Sequence, residues 1–203
     1  MRFIESILLK DGQYINLDLH QQRIDEVFKV HASMDLAHNL KNVLPNIQLE
    51  GIYKVRMVYD LDSEDAEYDI EYAVYHPRKI EKLEVMPSNP FDYAFKYEDR
   101  NHINRLVSQS GADDILIAIY NQITDGSYFN VAFWDGTNWY TPSTYLLNGV
   151  RRQQLLSDKK IIETKISVED IKHYQKVSLI NAMMDLGEIE LPISAIDTPR
   201  SDD

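Results

Sequence analysis

Residues 3–9, apolar except for Glu5 and Ser6, read as a strand. Lys10-Asp11-Gly12 supplies a turn with a glycine able to take positive φ, and residues 13–17 return as the second arm of a hairpin. A helical period follows. Ile24, Val27, Phe28 and His31 recur at helical spacing behind Asn16 or Asp18 as caps, and Arg23 lies on the same predicted helix. A second helix is predicted over 35–44, with Leu36, Leu40, Val43 and Leu44 on one stripe and Pro45 as its stop. Residues 52–59 and 68–75 alternate around an acidic turn at 60–65, and residues 80–85 predict a third strand.

The stretch Met86-Pro87-Ser88-Asn89-Pro90 sets two prolines among small polar residues, which predicts a linker at 87–90. Beyond it the pattern changes. Residues 98–110 predict a helix with Ile103, Leu106 and Val107 inward, and 115–120 form an apolar run suited to a strand covered on both faces. Residues 129–134 and 139–141 flank the turn Asp135-Gly136-Thr137-Asn138, and Pro142 closes the second arm. Segments 150–156, 160–166, 168–174 and 191–196 continue a mixed α/β pattern, and 198–203 read as a disordered tail. The expectation is two domains, a small N-terminal α+β domain over 1–86 and a larger α/β domain over 91–197.

Composition narrows the chemistry. The chain has 203 residues, 44% of them hydrophobic, enough for one large core or two small ones. Its net charge of -12 would repel a phosphodiester backbone, so neither nucleic acid nor an anionic membrane is an expected partner. The absence of cysteine removes disulfides, thiolate nucleophiles and Cys-ligated zinc, and the six histidines show no His-Glu-x-x-His spacing, so no metal site is expected. An acid arrives early in Met1-Arg2-Phe3-Ile4-Glu5-Ser6, unlike a signal peptide, and no apolar run reaches membrane-spanning length. A cytoplasmic, soluble protein is expected.

Lys96 stands in Asp92-Tyr93-Ala94-Phe95-Lys96-Tyr97-Glu98-Asp99-Arg100. After it come Ile123-Thr124-Asp125-Gly126-Ser127-Tyr128-Phe129-Asn130, Tyr140-Thr141-Pro142, Leu147-Asn148-Gly149-Val150-Arg151-Arg152 and Leu179-Ile180-Asn181-Ala182-Met183-Met184. In that order the motifs resemble the class IV, fold type IV pyridoxal phosphate enzymes. That family holds the branched-chain aminotransferases, the D-amino acid aminotransferases and the aminodeoxychorismate lyases. The resemblance spans nearly the whole chain and is strongest over 93–181. It implies a two-domain fold, a pyridoxal 5'-phosphate cofactor, an amino acid substrate and a homodimer, with the active site between the small and large domains.

Residue by residue, the resemblance implies that Lys96 forms a Schiff base with the cofactor. Such a lysine attacks as the neutral amine, which a desolvated site or a nearby positive charge favours. Arg100, four residues on, repeats a Lys-to-Arg spacing of the lyase members. Asp125 stands where the family usually has a glutamate beside the pyridine nitrogen, with a reach shorter by about 1.5 Å. Gly149, Val150 and Arg151 occupy a predicted helix start, where backbone donors suit a phosphate. The family commonly reads Gly-Ile-Thr-Arg there, so Gly149 and Arg152 match while Arg151 replaces the threonine. Arg23 follows His20 as in an N-terminal signature whose arginine reaches the same phosphate. Asn181 and Ala182 match an Asn-Ala stretch on the substrate side. Arg56 is a further candidate for a substrate carboxylate, although Asp69 and Glu71 on the next predicted strand are closer candidates to pair with it.

The chemistry so implied has Lys96 moving a proton at the substrate α-carbon as general base and acid. The motif Asn181-Ala182-Met183-Met184 and the Lys96/Arg100 spacing favour a 4-amino-4-deoxychorismate lyase releasing pyruvate and 4-aminobenzoate, a step of folate synthesis. An amino acid aminotransferase of the branched-chain or D-amino acid type is the alternative. Asp125 and Arg151 also allow a degenerate homologue with little turnover.

Overall fold

The opening apolar segment becomes β1 (Arg2–Lys10), whose inward face carries Phe3, Glu5, Ile7 and Leu9, all fully buried. In this computed structural model residues 1–32, 39–61 and 68–199 are described. Asp11 and Gly12 take φ of 48° and 78° and turn the chain into the short β2 (Gln13–Tyr14). Next comes α1 (Leu17–Val27), which buries Ile24 and Val27 and runs into one π-helical turn at Phe28–Ala32. α2 (Leu40–Val43) is what is described of the second predicted helix, since its predicted start at 35–38 lies outside the described residues. Leu44 leaves the helix with ψ of 126°, because a residue before proline is pushed out of the helical region.

β3 (Ile52–Asp60) pairs antiparallel with β1 over the full length of both, from Arg2 opposite Asp60 to Lys10 opposite Ile52. β4 (Tyr68–Val74) adds a fourth strand, in the order β2-β1-β3-β4; residues 62–65 of the acidic turn before it lie outside the described residues. The core of this sheet and helix joins Phe3, Ile7, Leu9, Ile24, Phe28, Val55 and Tyr59.

The first compact unit is Met1–His76 together with Phe95–Asp99. The second stretch corrects a sequence expectation. Residues 98–100, predicted as the start of a helix, are not helical, and the preceding backbone is extended along β1. The Ile4 amide donates to the Lys96 carbonyl at 2.9 Å and the Glu98 amide to the Arg2 carbonyl at 3.0 Å. Phe95 and Tyr97 cause this. They alternate with period two and pack on Phe3, Tyr97 at 5.2 Å between ring centroids.

The second unit is Pro77–Ala94 with Arg100–Asp203. It opens with β5 (Leu83–Ser88), so the predicted linker at 87–90 and the predicted third strand of the first sheet are both corrected. β5 pairs in parallel with β6, and Pro87 is tolerated because β13 covers only Leu83 and Glu84 on the other side. α3 (Asn101–Gln109) precedes β6 (Asp114–Ile119), whose Ile115, Leu116, Ile117 and Ala118 are buried on both faces as predicted. β7 (Gln122–Gly126) returns antiparallel through Tyr120 and Asn121, both at positive φ.

β8 (Asn130–Trp134) and β9 (Trp139–Pro142) form the predicted hairpin, its turn closed by the Thr137 and Asn138 amides on Asp135 Oδ1, each at 2.7 Å. α4 (Val150–Ser157) and β10 (Ile162–Thr164) follow. β11 (Lys176–Ile180), which the sequence reading did not mark, is a central strand between β8 and β12 (Glu190–Pro192). β13 (Ile196–Asp197) completes the first of two mixed sheets, ordered β13-β5-β6-β7 and β10-β9-β8-β11-β12. Among the described residues no helix is long and apolar enough to cross a membrane.

Candidate functional site

The first unit gathers charge around β1. Glu5 sits on the apolar face of the strand with no exposure, and Arg23 and His20 approach it from α1, three residues apart. Arg23 Nε donates to Glu5 Oε1 at 2.8 Å and its terminal nitrogen donates to Glu5 Oε2. His20 Nδ1 lies 2.6 Å from Oε2, while His20 Nε2 is buried without a hydrogen-bond partner among the described residues. Burial alone would raise the Glu5 carboxyl, but the Arg23 charge and the hydrogen bonds from His20 and Arg23 outweigh it and hold it at about 2. Burial lowers the pKa of His20, opposed by Glu5 and assisted by the charges of Arg23 and Lys96. The cluster is therefore a carboxylate, a guanidinium and a neutral imidazole whose Nδ1–H points at Glu5.

Lys96, half-buried, hangs from the same strand through the Ile4 hydrogen bond, one residue from Glu5. One strand thus carries the lysine segment on its edge and the arginine through its inward acid. Arg56 is also in this unit. Its guanidinium binds Glu98 Oε1 at 2.7 Å, and Glu98 Oε2 binds Arg2 at 2.8 Å. Glu71 lies directly opposite Arg56 across β3 and β4, yet the acid that pairs with Arg56 comes from beyond Lys96, so the expected cross-strand pair is corrected.

The second unit gathers Asp125, Gly149, Val150 and Arg151. Asp125 is buried near the end of β7, and both carboxylate oxygens accept hydrogen bonds. Asn130 Nδ2 donates to Oδ1 at 2.8 Å, and the Leu147 and Leu146 amides donate to Oδ2 at 2.9 and 3.2 Å. Burial raises this carboxyl to about 6 in spite of those donors and the Arg152 charge. Asn130 also donates to the Leu147 carbonyl at 2.9 Å, and a Cβ on Gly149 would fall 2.1 Å from its Oδ1. Gly149 is the cap of α4, and its lack of a side chain is what lets the helix start against Asn130.

Arg152 does not act at the helix end. Its ring-stacked guanidinium lies 4.1 Å from the Tyr145 centroid and bonds Asn148 Oδ1, the Pro142 carbonyl and Glu163 at 2.9 to 3.0 Å, which braces the 142–148 loop. Arg151, buried in the first turn of α4, bonds Gln154 Oε1 at 2.7 Å and approaches Asp185 at 3.5 Å, and its Nε has no partner among the described residues. Asp185 follows the turn that carries Asn181 and Ala182, which Met184 closes by exchanging two backbone hydrogen bonds of 3.1 Å with Asn181. Asn181 Oδ1 accepts from the Met183 amide at 2.8 Å and its Nδ2 donates to the Tyr128 carbonyl at 3.2 Å. Arg100 caps α3 and donates to the Ser127 carbonyl, in the turn after Asp125.

The predicted residues therefore fall in two groups. Lys96, Arg23 and Arg56 belong to the first unit, and Arg100, Asp125, Gly149, Val150, Arg151, Asn181 and Ala182 to the second. Glu5, His20 and Asn130 stand within the quoted motifs but carry no predicted role of their own. A signal for Glu5 was present, since an acid between Phe3 and Ile7 breaks the apolar face of a strand.

Residues 2–191 match the model of the amino-transferase class IV family. An uncharacterized protein of Haemophilus influenzae is 33% identical over 183 residues, covering 88% of this chain and 96% of that protein. The crystal structure of a candidate 4-amino-4-deoxychorismate lyase from Haemophilus somnus superposes with a TM-score of 0.83 at 30% identity, over 91% of this chain and 97% of the other. A hypothetical aminotransferase of Mycobacterium tuberculosis in its pyridoxal phosphate-bound form shares the fold, with a TM-score of 0.78 at 14% identity over 99% and 84% of the two chains. With a family model matched almost end to end, the chain belongs to the class IV aminotransferase family of enzymes, of fold type IV.

Proposed function

We propose that the protein is a pyridoxal phosphate-dependent 4-amino-4-deoxychorismate lyase with Lys96 as its catalytic lysine. The observation that carries this reading is Lys96 itself, half-buried on a segment hydrogen-bonded to the strand whose Glu5 grips Arg23. The residues present suit the cofactor. The first amides of α4 have no acceptor within the helix, and the buried Arg151 Nε lacks a partner among the described residues, a donor set matched to a phosphate. In the first unit, Arg23 is the cation that the family resemblance assigns to a phosphate. Asp125 supplies a carboxylate of the kind that favours a protonated pyridine nitrogen.

When bound, pyridoxal phosphate supplies an aldehyde that condenses with amines and a ring that delocalises a carbanion. Lys96 Nζ would take the proton from the amine-bearing carbon of the substrate and give it to the departing enolpyruvyl group, which leaves as pyruvate, while the ring left behind becomes aromatic as 4-aminobenzoate. Arg100, Arg56 and the Asn181-Ala182 turn are the proposed substrate contacts. The reading is supported by the Lys96/Arg100 spacing, by Asn181-Ala182-Met183-Met184 and by the likeness to the Haemophilus somnus protein. We infer a homodimer from the family, with twice the chain mass expected in sedimentation.

One observation favours a second reading, a homologue of low turnover. Asp125 is engaged by three internal donors, which weakens its pull on a ring nitrogen. The test is a visible absorption spectrum with added pyridoxal phosphate before and after borohydride, on wild type and Lys96→Ala, followed by a 4-aminobenzoate assay. A reducible yellow adduct at Lys96 that is absent in the variant, with product from aminodeoxychorismate, is expected. An adduct without product from that substrate or from any amino acid would leave the low-turnover reading, transamination without 4-aminobenzoate would make it an aminotransferase, and no adduct would sink the cofactor role.

A further inference from the structure

We propose that Glu5 is a positioning residue that gives the site its preference for a phosphorylated cofactor, by holding the Arg23 guanidinium in one orientation. The proposal rests on the reading of Arg23 as a phosphate-binding residue.

A long arginine side chain has many rotamers, and ordering it at the moment of binding costs entropy that subtracts from affinity. Here the order exists beforehand. Glu5 takes Arg23 by two adjacent nitrogens, Nε and a terminal nitrogen, in the forked geometry that fixes the guanidinium plane. Glu5 cannot turn away, because it is fully buried on β1 and its Oε2 also meets His20 Nδ1 at 2.6 Å. β1 is in turn locked on both sides, by nine pairs with β3 and by the Lys96 and Glu98 hydrogen bonds.

A surface salt bridge of this kind would do little, but a buried charge-assisted fork has a stake on both partners. Removing the acid leaves a guanidinium with 8% exposure and no compensating charge from Glu5. The strand that sets the Lys96 backbone and the acid that sets Arg23 are the same element. A change confined to the Glu5 side chain therefore disturbs the phosphate-directed cation while leaving in place the backbone bonds from Ile4 to Lys96 and from Glu98 to Arg2.

The test compares pyridoxal phosphate with pyridoxal, which has the same aldehyde and no phosphate, binding to wild type, Glu5→Asp and Glu5→Gln. Affinities are read from the absorbance of the borohydride-reducible adduct, and unfolding of each ligand-free protein is recorded alongside. Glu5→Asp keeps the charge but withdraws the carboxylate by about one bond length. The expected result is a loss of pyridoxal phosphate affinity of about tenfold or more in both variants, with pyridoxal affinity unchanged, so that discrimination between the two falls by the same factor. Unchanged discrimination in a folded variant, or an equal loss of both ligands, would make Glu5 a structural ion pair only and overturn the proposal. A wild type that forms no adduct with either ligand would instead remove the cofactor reading on which it rests.

Discussion

Asp125 owes its properties to what one missing methylene leaves it to do. Held deep in β7, it spends both oxygens on Asn130 and on the amides of Leu146 and Leu147, and burial still raises it to about 6. A carboxyl whose folded pKa exceeds its unfolded value stabilises the fold most when protonated, and that contribution is lost as pH rises from about 3.8 through about 6. In Asp125→Asn this loss is absent. Urea unfolding should therefore show the variant gaining on wild type between pH 4 and 6 and the difference becoming flat above about 6; a difference constant with pH would refute the raised value. Glu5 is the opposite case, since its lowered value stabilises the fold above its unfolded pKa. Lys96, Asp125 and Gly149 could be picked out along the chain because their motifs stand in family order. The other members of these clusters could not, because Glu5 and His20 gain meaning from contacts 15 to 18 positions apart, and Asn130 from the Leu147 carbonyl 17 positions on as well as from Asp125.

At the scale of the elements, the start of α4 depends on a glycine for space and not for dihedral freedom. Gly149 has φ of -64°, which any residue accepts, yet a Cβ there would meet Asn130 Oδ1 at 2.1 Å. Asn130 cannot retreat without giving up Asp125 and the Leu147 carbonyl. Gly149→Ala should lower stability by about 1–3 kcal/mol in denaturant unfolding, through displacement of a buried amide, and weaken pyridoxal phosphate binding at the same helix end. Stability equal to wild type would mean that Asn130 has room to move. Local pattern predicted β1, β3, β4 and the β8–β9 hairpin, and a continuous apolar run predicted β6, whose residues are buried on both faces. It misplaced the start of α3, because Phe95 and Tyr97 answer to the Phe3 ring across the sheet and not to their neighbours in the chain. β11 went unmarked because Lys176–Ile180 is only five residues long and its strand partners are β8 and β12.

For the whole molecule, the path between the two units is the main result. A cut after residue 86 looks natural in the sequence, but β5 belongs to the second unit and Phe95–Asp99 returns to the first. A fragment of residues 1–86 would lack the Phe95 and Tyr97 rings over Phe3, the Lys96 and Glu98 bonds to β1, and the Glu98 bridge between Arg2 and Arg56. It should fail to melt cooperatively by circular dichroism, and a transition as sharp as that of the full chain would disprove the need for this strap. What the amino-acid order decided alone was local: strand and helix periods, turns at Gly12 and Gly136, and the succession of motifs that identifies the family. Each depends on residues close together in the chain, where sterics and burial act over a few positions. Which acid holds Arg23, which acid pairs with Arg56, where Lys96 hangs and which sheet receives β5 were decided only by the folded structure. Those outcomes depend on which distant segments compete for one buried face or one free edge, and that competition is settled by packing.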